Sequence, residues 1–533
     1  MSEKSYGAKA ATKRWWQRFV ELVRRPMGIA KACALMSLFT LVAYNIPAIV
    51  AVYENVGNDF NGWLLFGSVL VLLLVVNFLV YYLLLFLGRA VGKGIIAFTF
   101  IGNAIALYFV NGYNVILSQQ MMGNVFNTRN SEASGFFSFA FILYVLLLGI
   151  LPTVLLFMFR IDYKRIGRFF ATFFSSLAVI VAVLLANIDN VLWIDRNATQ
   201  LGGLLMPYSY TVNSALYYRD WKLMNRSEIM LPDAKMTDDS KDVCVLVIGE
   251  SARKANFSLY GYERNTNPLL AGDSVKIYNA VSADTYTTAG VKAILDYKAS
   301  EELNEILPNY LHRNGVNVVW RSNNWGESKL KVDTFIKASQ IKALYPEKNI
   351  DHDDILLEGL KDDIVNSKSN KMLVVLHTST SHGPTYFKKY PEQFETFTPV
   401  CREVEMSKAD LSELVNAYDN TIVYTDYLLH SIIEVLRSLP EWRSCMMYVS
   451  DHGESLGEGG MYMHGVPMMM APAVQYEIPF IVWDSDQNTG YKDLKKVEQY
   501  NVFHSVMSFL GLESPIRDEN RNIFLREQPA SKD

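Results

Sequence analysis

The distribution of charge along this 533-residue chain constrains its fold more than any other feature. Residues 28–190 hold only 13 charged side chains in 163 positions, too few to clothe a soluble domain of that size. The 27 residues before them carry seven Lys/Arg against two Glu, and the 343 after them carry 82 charged residues with a net charge of −12. The whole-chain values, 50% hydrophobic and net −4, therefore average over three unlike segments. A wholly soluble protein is excluded. The acidic C-terminal part lacks the basic surplus of a nucleic-acid binder, and no repeat of the solenoid kind is present.

A bilayer core about 30 Å thick is crossed by roughly 20 apolar helical residues. Five stretches qualify, near 28–50, 62–87, 91–110, 136–159 and 169–187. Lys and Arg cluster in the tail and in the second and fourth connections (Arg89 and Lys93; Arg160, Lys164, Arg165 and Arg168), whereas the first connection has none and the third only Arg129. By the positive-inside rule the N-terminus is cytoplasmic and the chain beyond residue 190 is external. The first span is too long for a removable signal peptide and lacks the small-residue cleavage pattern. With almost no ionisable group inside them, the spans read as an anchor rather than an ion pathway. The expected organisation is a basic tail (1–27), a five-helix membrane domain (28–190) with an external loop helix at about 111–135, a polar, Tyr-rich connector (191–240) and an external domain (241–533).

In the external domain, short apolar runs recur at Val243–Gly249, Val316–Trp320, Met372–Leu376, Met446–Ser450 and Pro479–Trp483, separated by stretches long enough for helices. This is the pattern of a parallel sheet with helices on both faces, in which ligands bind beyond the carboxyl ends of the strands. Glu250 follows the first run. Asp451 and His452 follow the fourth, an oxygen and a nitrogen ligand on one turn, and His464 lies twelve residues on, past a Gly-rich stretch. The third run leads into His377 and then His382 in a Gly-Pro loop; His377 reads as a strand-end core residue and His382 as the site candidate. The segment Thr285-Tyr-Thr287-Thr288 precedes a helical pattern, so one of these threonines sits at a helix N-terminus, where phosphate anions are favoured. Such a hydroxyl is a competent nucleophile only when a metal or base activates it.

Together these segments resemble the phosphoethanolamine transferases of bacterial envelopes, lipid A modifying and mobile colistin-resistance enzymes included, a membrane-anchored branch of the alkaline phosphatase and sulfatase superfamily. The resemblance spans nearly the whole chain. Its most specific blocks are Ile248-Gly-Glu-Ser-Ala-Arg253, Ser381-His-Gly-Pro-Thr-Tyr386, Asn416-Ala-Tyr-Asp-Asn-Thr421 and Ser450-Asp-His-Gly-Glu-Ser455 with His464-Gly-Val-Pro467. It implies an α-helical five-span membrane domain plus an αβα-sandwich, sulfatase-like α/β domain in the periplasm, anchored in the inner membrane. It implies one tightly bound Zn2+, with a second admissible, held by Glu250, Asp451, His452 and the nucleophile. A gapless alignment places that nucleophile at Thr285, with Thr287 and Thr288 in reserve, although Ala283-Asp284 replaces the family's Cys-Gly. His382 and His464 match the phosphate-contacting histidines, either of which is the general acid. Lys329 is nearest to a family lysine, and Asn124, Thr128 and Glu132 match positions on a helix over the active site, where their spacing of four puts them on one face.

The activity implied is transfer of phosphoethanolamine from phosphatidylethanolamine to an envelope acceptor, most directly a lipid A phosphate, through a covalent threonine intermediate, by a monomer. The alternatives are a phosphoglycerol transferase of the lipoteichoic-acid-synthase type and transfer of phosphoethanolamine to a glycan other than lipid A. The largest departure from the family is cysteine usage. There are four cysteines (Cys33, Cys244, Cys401 and Cys445), and the family partner of Cys401 is absent, so no disulfide framework is expected.

Overall fold

The computed structural model describes residues 25–128, 136–163, 167–224, 228–325, 329–348, 350–403, 406, 409–486 and 490–525. Its first helices are α1 (Ile29–Tyr44), α2 (Ile46–Asn55), α3 (Phe60–Gly88), α4 (Ala90–Tyr113), the short α5 (Gln119–Asn127), α6 (Phe139–Met158), α7 (Gly167–Ala186), α8 (Val191–Leu204) and α9 (Tyr208–Met224). Among the described residues α3, α4, α6 and α7 are long and apolar enough to cross a membrane, and α1 with α2, bent by 66°, together make a fifth candidate. The chain forms two compact units. Described residues within 25–112, 116–118 and 136–215 make up the first, and those within 113–115, 119–128 and 216–525 the second.

In the first unit, proline and asparagine fix the irregularities. The α1–α2 break falls at Asn45, just before Pro47, which has no N–H to return to the preceding turn. Asn45 Nδ2 donates to the carbonyls of Thr40 (3.1 Å) and Met206 (3.0 Å), and its Oδ1 accepts from Met206 N (2.9 Å). Pro152 in α6 leaves the Leu148 carbonyl without its usual helical donor; the Tyr44 hydroxyl supplies one at 2.5 Å, and Val145–Ile150 widens into a π-helix. The connector beyond residue 190 is not simply a polar linker, since α8 and α9 occupy most of it. Its tyrosines have a purpose: Tyr208 donates to Asn77 Oδ1 (3.0 Å) and Tyr210 to Asn103 Oδ1 (3.1 Å), amides buried on α3 and α4.

The second unit is built on a sheet of eight strands among the described residues: β1 (Asp242–Gly249), β2 (Lys276–Val281), β3 (Asn317–Ser322), β4 (Thr334–Lys337), β5 (Lys371–His377), β6 (Arg443–Ser450), β7 (Glu477–Asp484) and β8 (Val497–Glu498), in the order β8-β2-β7-β6-β1-β5-β3-β4. The central strand β1 is buried at every residue, as a run apolar on both faces requires. Alternate residues Cys244, Leu246 and Ile248 join a core with α10 (Thr287–Leu295) and α12 (Asn501–Phe509), while α11 (Leu411–Arg437), capped by Asp410, packs on β6 outside that core. One strand departs from the expected parallel order: β7 runs antiparallel to both β2 and β6. Residues 451–476, which link β6 to β7, contain no helix that could carry the chain back across the sheet, so β7 must return from the end where β6 stops. The carboxyl ends of β1, β2, β3, β5 and β6 therefore open on one edge. All four cysteines are free and buried, Cys244 lying opposite Cys445 in register.

Candidate active site

Glu250, directly after β1, and Asp451 and His452, directly after β6, meet at that edge, all fully buried. Strand pairing enforces the meeting, because Gly249 is in register with Ser450. Ser251, in a left-handed conformation (φ 53°), ties the two turns together. Its N–H donates to Asp451 Oδ1 (3.0 Å) and its hydroxyl to Glu250 Oε1 (2.8 Å), while its carbonyl accepts from Tyr418 on α11 (2.7 Å). Backbone strain held by such contacts is characteristic of working sites.

The donor atoms have the spacing of a coordination shell. His452 Nε2 lies 3.3 Å from Glu250 Oε1, 3.3 Å from Asp451 Oδ2 and 3.3 Å from Thr287 Oγ1, and Thr287 Oγ1 is 3.5 Å from Glu250 Oε1. Edges of about 3.3 Å are those of a tetrahedron whose ligands sit about 2.0–2.1 Å from a central ion. Asp451 Oδ2 is buried without a hydrogen-bond donor, an arrangement that a cation would relieve. The outer contacts orient the ligands: His452 Nδ1 donates to the Gly453 carbonyl (2.9 Å), leaving Nε2 for the ion, and Asn324 at the end of β3 donates to Glu250 Oε2 (2.7 Å). These residues fit a metal.

Electrostatics point the same way. Burial and the charge of Glu250 hold Asp451 well above its usual range. Burial would raise Glu250 too, but the hydrogen bond and charge of His452 bring it well below its ordinary value. Burial pulls His452 down, yet the carboxylates of Asp451 and Glu250 prevail and raise it to about 10.

The threonine that faces this group is Thr287. Thr285, the residue expected from alignment, turns away: its hydroxyl donates to the Val466 carbonyl at 2.6 Å. The difference arises from where the helix begins. Tyr286 is extended (φ −147°, ψ 151°) and Thr287 is the first residue of α10, which sets its hydroxyl and the helix's unpaired N–H groups at the ligands. Thr288, the other reserve, is partly exposed. A Cβ on Gly290 would fall 2.1 Å from the Asp451 carbonyl, so α10 approaches the ligand turn as closely as glycine permits.

His382 and His464 complete the cluster, their rings 5.2 Å apart and His464 4.2 Å from His452. His382 Nδ1 donates to the Gly383 carbonyl (2.7 Å) and His464 Nδ1 pairs with Glu454 Oε2 (2.7 Å). Tyr386 donates to Glu454 Oε1 (2.6 Å). Burial and His452 lower the pKa of His464 against the opposing pull of Glu454. Glu454 and Asn324 are additions to the expected set, and both lie where the strand-end rule directs attention. His377, the last residue of β5, is buried edge-on against Trp320 (6.1 Å).

The remaining expectations divide. Asn124 on α5 places its amide beside Gly465, about where a Cβ there would stand (3.0 Å), and Asn114 donates to the Gly460 carbonyl (2.7 Å), so this segment touches the loop carrying His464. Thr128 returns its hydroxyl to the Asn124 carbonyl (2.7 Å). Glu132 lies outside the described residues. Lys329 is exposed and is not drawn into the group; its carbonyl accepts from Asn309 (2.9 Å).

Residues 242–512 match the Sulfatase family model, and residues 69–221 match the model described as Phosphoethanolamine transferase EptA/EptB. The chain is 36% identical over 507 residues to phosphoethanolamine transferase EptA of Helicobacter pylori, covering 92% of this chain and 95% of that one. It is 30% identical over 514 residues to phosphatidylethanolamine transferase Mcr-1 of Escherichia coli, covering 90% and 92%. The solved lipooligosaccharide phosphoethanolamine transferase A of Neisseria meningitidis superposes with a TM-score of 0.85 at 25% identity, over 94% of this chain and 99% of that one.

Proposed function

Since this chain belongs to the EptA family of phosphoethanolamine transferases, we propose that it moves phosphoethanolamine from phosphatidylethanolamine to a lipid A phosphate through a covalent intermediate on Thr287, with zinc as its metal. The observation that carries this reading is the convergence of Glu250, Asp451 and Thr287 on His452 Nε2, each with an oxygen 3.3 Å from it. The match to the EptA/EptB model over residues 69–221 favours ethanolamine over the phosphoglycerol alternative. The name of one relative, a Kdo(2)-lipid A phosphoethanolamine 7''-transferase, supports lipid A as the acceptor.

Zinc held by these four residues would lower the pKa of the threonine hydroxyl and offset charge on the phosphoryl group. The chain's own residues do the rest. Thr287 gives up its hydroxyl proton and its Oγ attacks the donor phosphorus as the bond to the diacylglycerol oxygen breaks; His382 or His464 takes up a proton and passes it to that leaving oxygen. The N–H groups at the start of α10 receive the equatorial phosphoryl oxygens. All ligands come from one chain, so a monomer suffices. Positive-inside placement of the tail and even connections supports a periplasmic catalytic domain and an inner-membrane anchor.

Intact-mass analysis of the full chain in detergent with phosphatidylethanolamine tests the reading. Wild type and Thr285→Ala are expected to gain one phosphoethanolamine group, while Thr287→Ala gains none and loses turnover by ~10³-fold or more. Adduct on Thr287→Ala, or turnover that survives stripping of bound metal, refutes it.

A further inference from the structure

A polar cavity of about 230 Å³ is lined in part by residues that adjoin active-site residues along the chain. Gly383 and Pro384, which line it, directly follow His382, and Asn323 directly precedes Asn324, the donor to Glu250. Its acids are already engaged. Asp353, 3% exposed, accepts from Asn323 Nδ2 (2.7 Å), Ser379 N (2.8 Å) and Thr380 Oγ1 (2.5 Å), and Asp351 is ion-paired with Lys342. Its cations are not so engaged. Among the described residues neither Lys388 nor Lys389 forms an ion pair; Lys388 Nζ stands over the Phe387 ring (5.5 Å), and His352 lies edge-on to Tyr424 (6.1 Å). The chain from residue 191 onward carries a net charge of −12, which repels an anion at long range. Lys388 and Lys389 bring two ammonium groups without an ion pair among the described residues to this lining, and lysine meets phosphate as a point charge without a fixed geometry.

The geometry points to this cavity as the subsite for the phosphate monoester of the acceptor glycan. The assignment rests on the transferase reading above, in which the donor phosphate lies at Thr287 and a second phosphate must reach it. From here an acceptor phosphate oxygen attacks the phosphorus held on Thr287; a P–O–P bond forms as the Thr287 Oγ–P bond breaks, and the acceptor's proton ends on Thr287 Oγ. An acceptor without phosphate has no anchor in the cavity.

The test uses the full chain in mixed micelles, with an acylated glucosamine disaccharide 1-phosphate, its unphosphorylated counterpart and inorganic phosphate as probes. The variants are Lys388→Ala/Lys389→Ala and the charge-preserving Lys388→Arg/Lys389→Arg. With phosphatidylethanolamine alone, the alanine variant should form the threonine adduct at the wild-type rate. Its KM for the phosphorylated acceptor should rise about tenfold or more, and the arginine variant should recover most of that. Inorganic phosphate should inhibit transfer by wild type and lose that effect in the alanine variant. An unchanged acceptor KM, equal inhibition of both proteins by inorganic phosphate, or adduct formation slowed as much as transfer would overturn the assignment. A wild-type chain that forms no adduct would refute the transferase reading itself, and this subsite with it.

Discussion

Both carboxylate oxygens of Glu454 are committed in a fully buried position, one to His464 Nδ1 and the other to the Tyr386 hydroxyl. That holds the His464 ring with Nε2 turned toward the cluster. Glu454→Gln preserves volume but presents an amide whose N–H groups meet one of two existing donors, so turnover should fall about 10–100-fold with the fold intact by circular dichroism; a variant as active as wild type would show that the pair has no orienting role. The positions of Glu250, Asp451 and His452 were legible from sequence because each follows an apolar run, and strand ends in such sheets converge. The choice among Thr285, Thr287 and Thr288 was not, because it turns on the residue at which α10 begins, and helix starts are not fixed to one residue by pattern alone. Lys329 follows a loop rather than a strand end, so no periodicity could place it.

At the scale of elements, α10 and α11 hold the site from two directions. Because a Cβ on Gly290 would meet the Asp451 backbone at 2.1 Å, Gly290→Ala must push Thr287 away from the ligand turn. Activity should fall at least ~10-fold and stability by about 1–3 kcal/mol, read from adduct formation and thermal unfolding; unchanged values would mean that the helix shifts freely. On α11, burial pushes Asp426 up to about 6, although the N–H groups of Leu269 and Leu270 pull the other way. The folded chain therefore holds a proton there that the unfolded chain has released above about pH 4. Stability falls as pH rises from about 4 to 6, and the cost persists above that. Asp426→Asn should remove this slope, while its amide nitrogen, facing one of the two N–H donors, offsets the gain at pH 7; a thermal-unfolding profile parallel to that of wild type over pH 4–7 would contradict it. Strand positions were legible because β1, β3, β5, β6 and β7 are short apolar runs. The direction of β7 was not, since an apolar run does not encode which way it is traversed.

At the scale of the whole molecule, uneven charge announced the apolar anchor and the acidic domain, but not how the anchor closes upon itself. Asn45, Asn77 and Asn103, buried on α1–α4, take partners from Met206, Tyr208 and Tyr210. A chain cut after residue 190 deprives the Oδ1 of each amide of these donors, at about 0.5–2 kcal/mol each. Pulse-chase should show it degraded much faster than a chain ending at residue 224; equal lifetimes would show that α9 is dispensable. The consequence concerns the order of synthesis. Helices carrying Asn77 and Asn103 reach the membrane more than a hundred residues before the tyrosines that satisfy them have been translated, so the anchor must wait, incomplete, until the ribosome has passed the last apolar span.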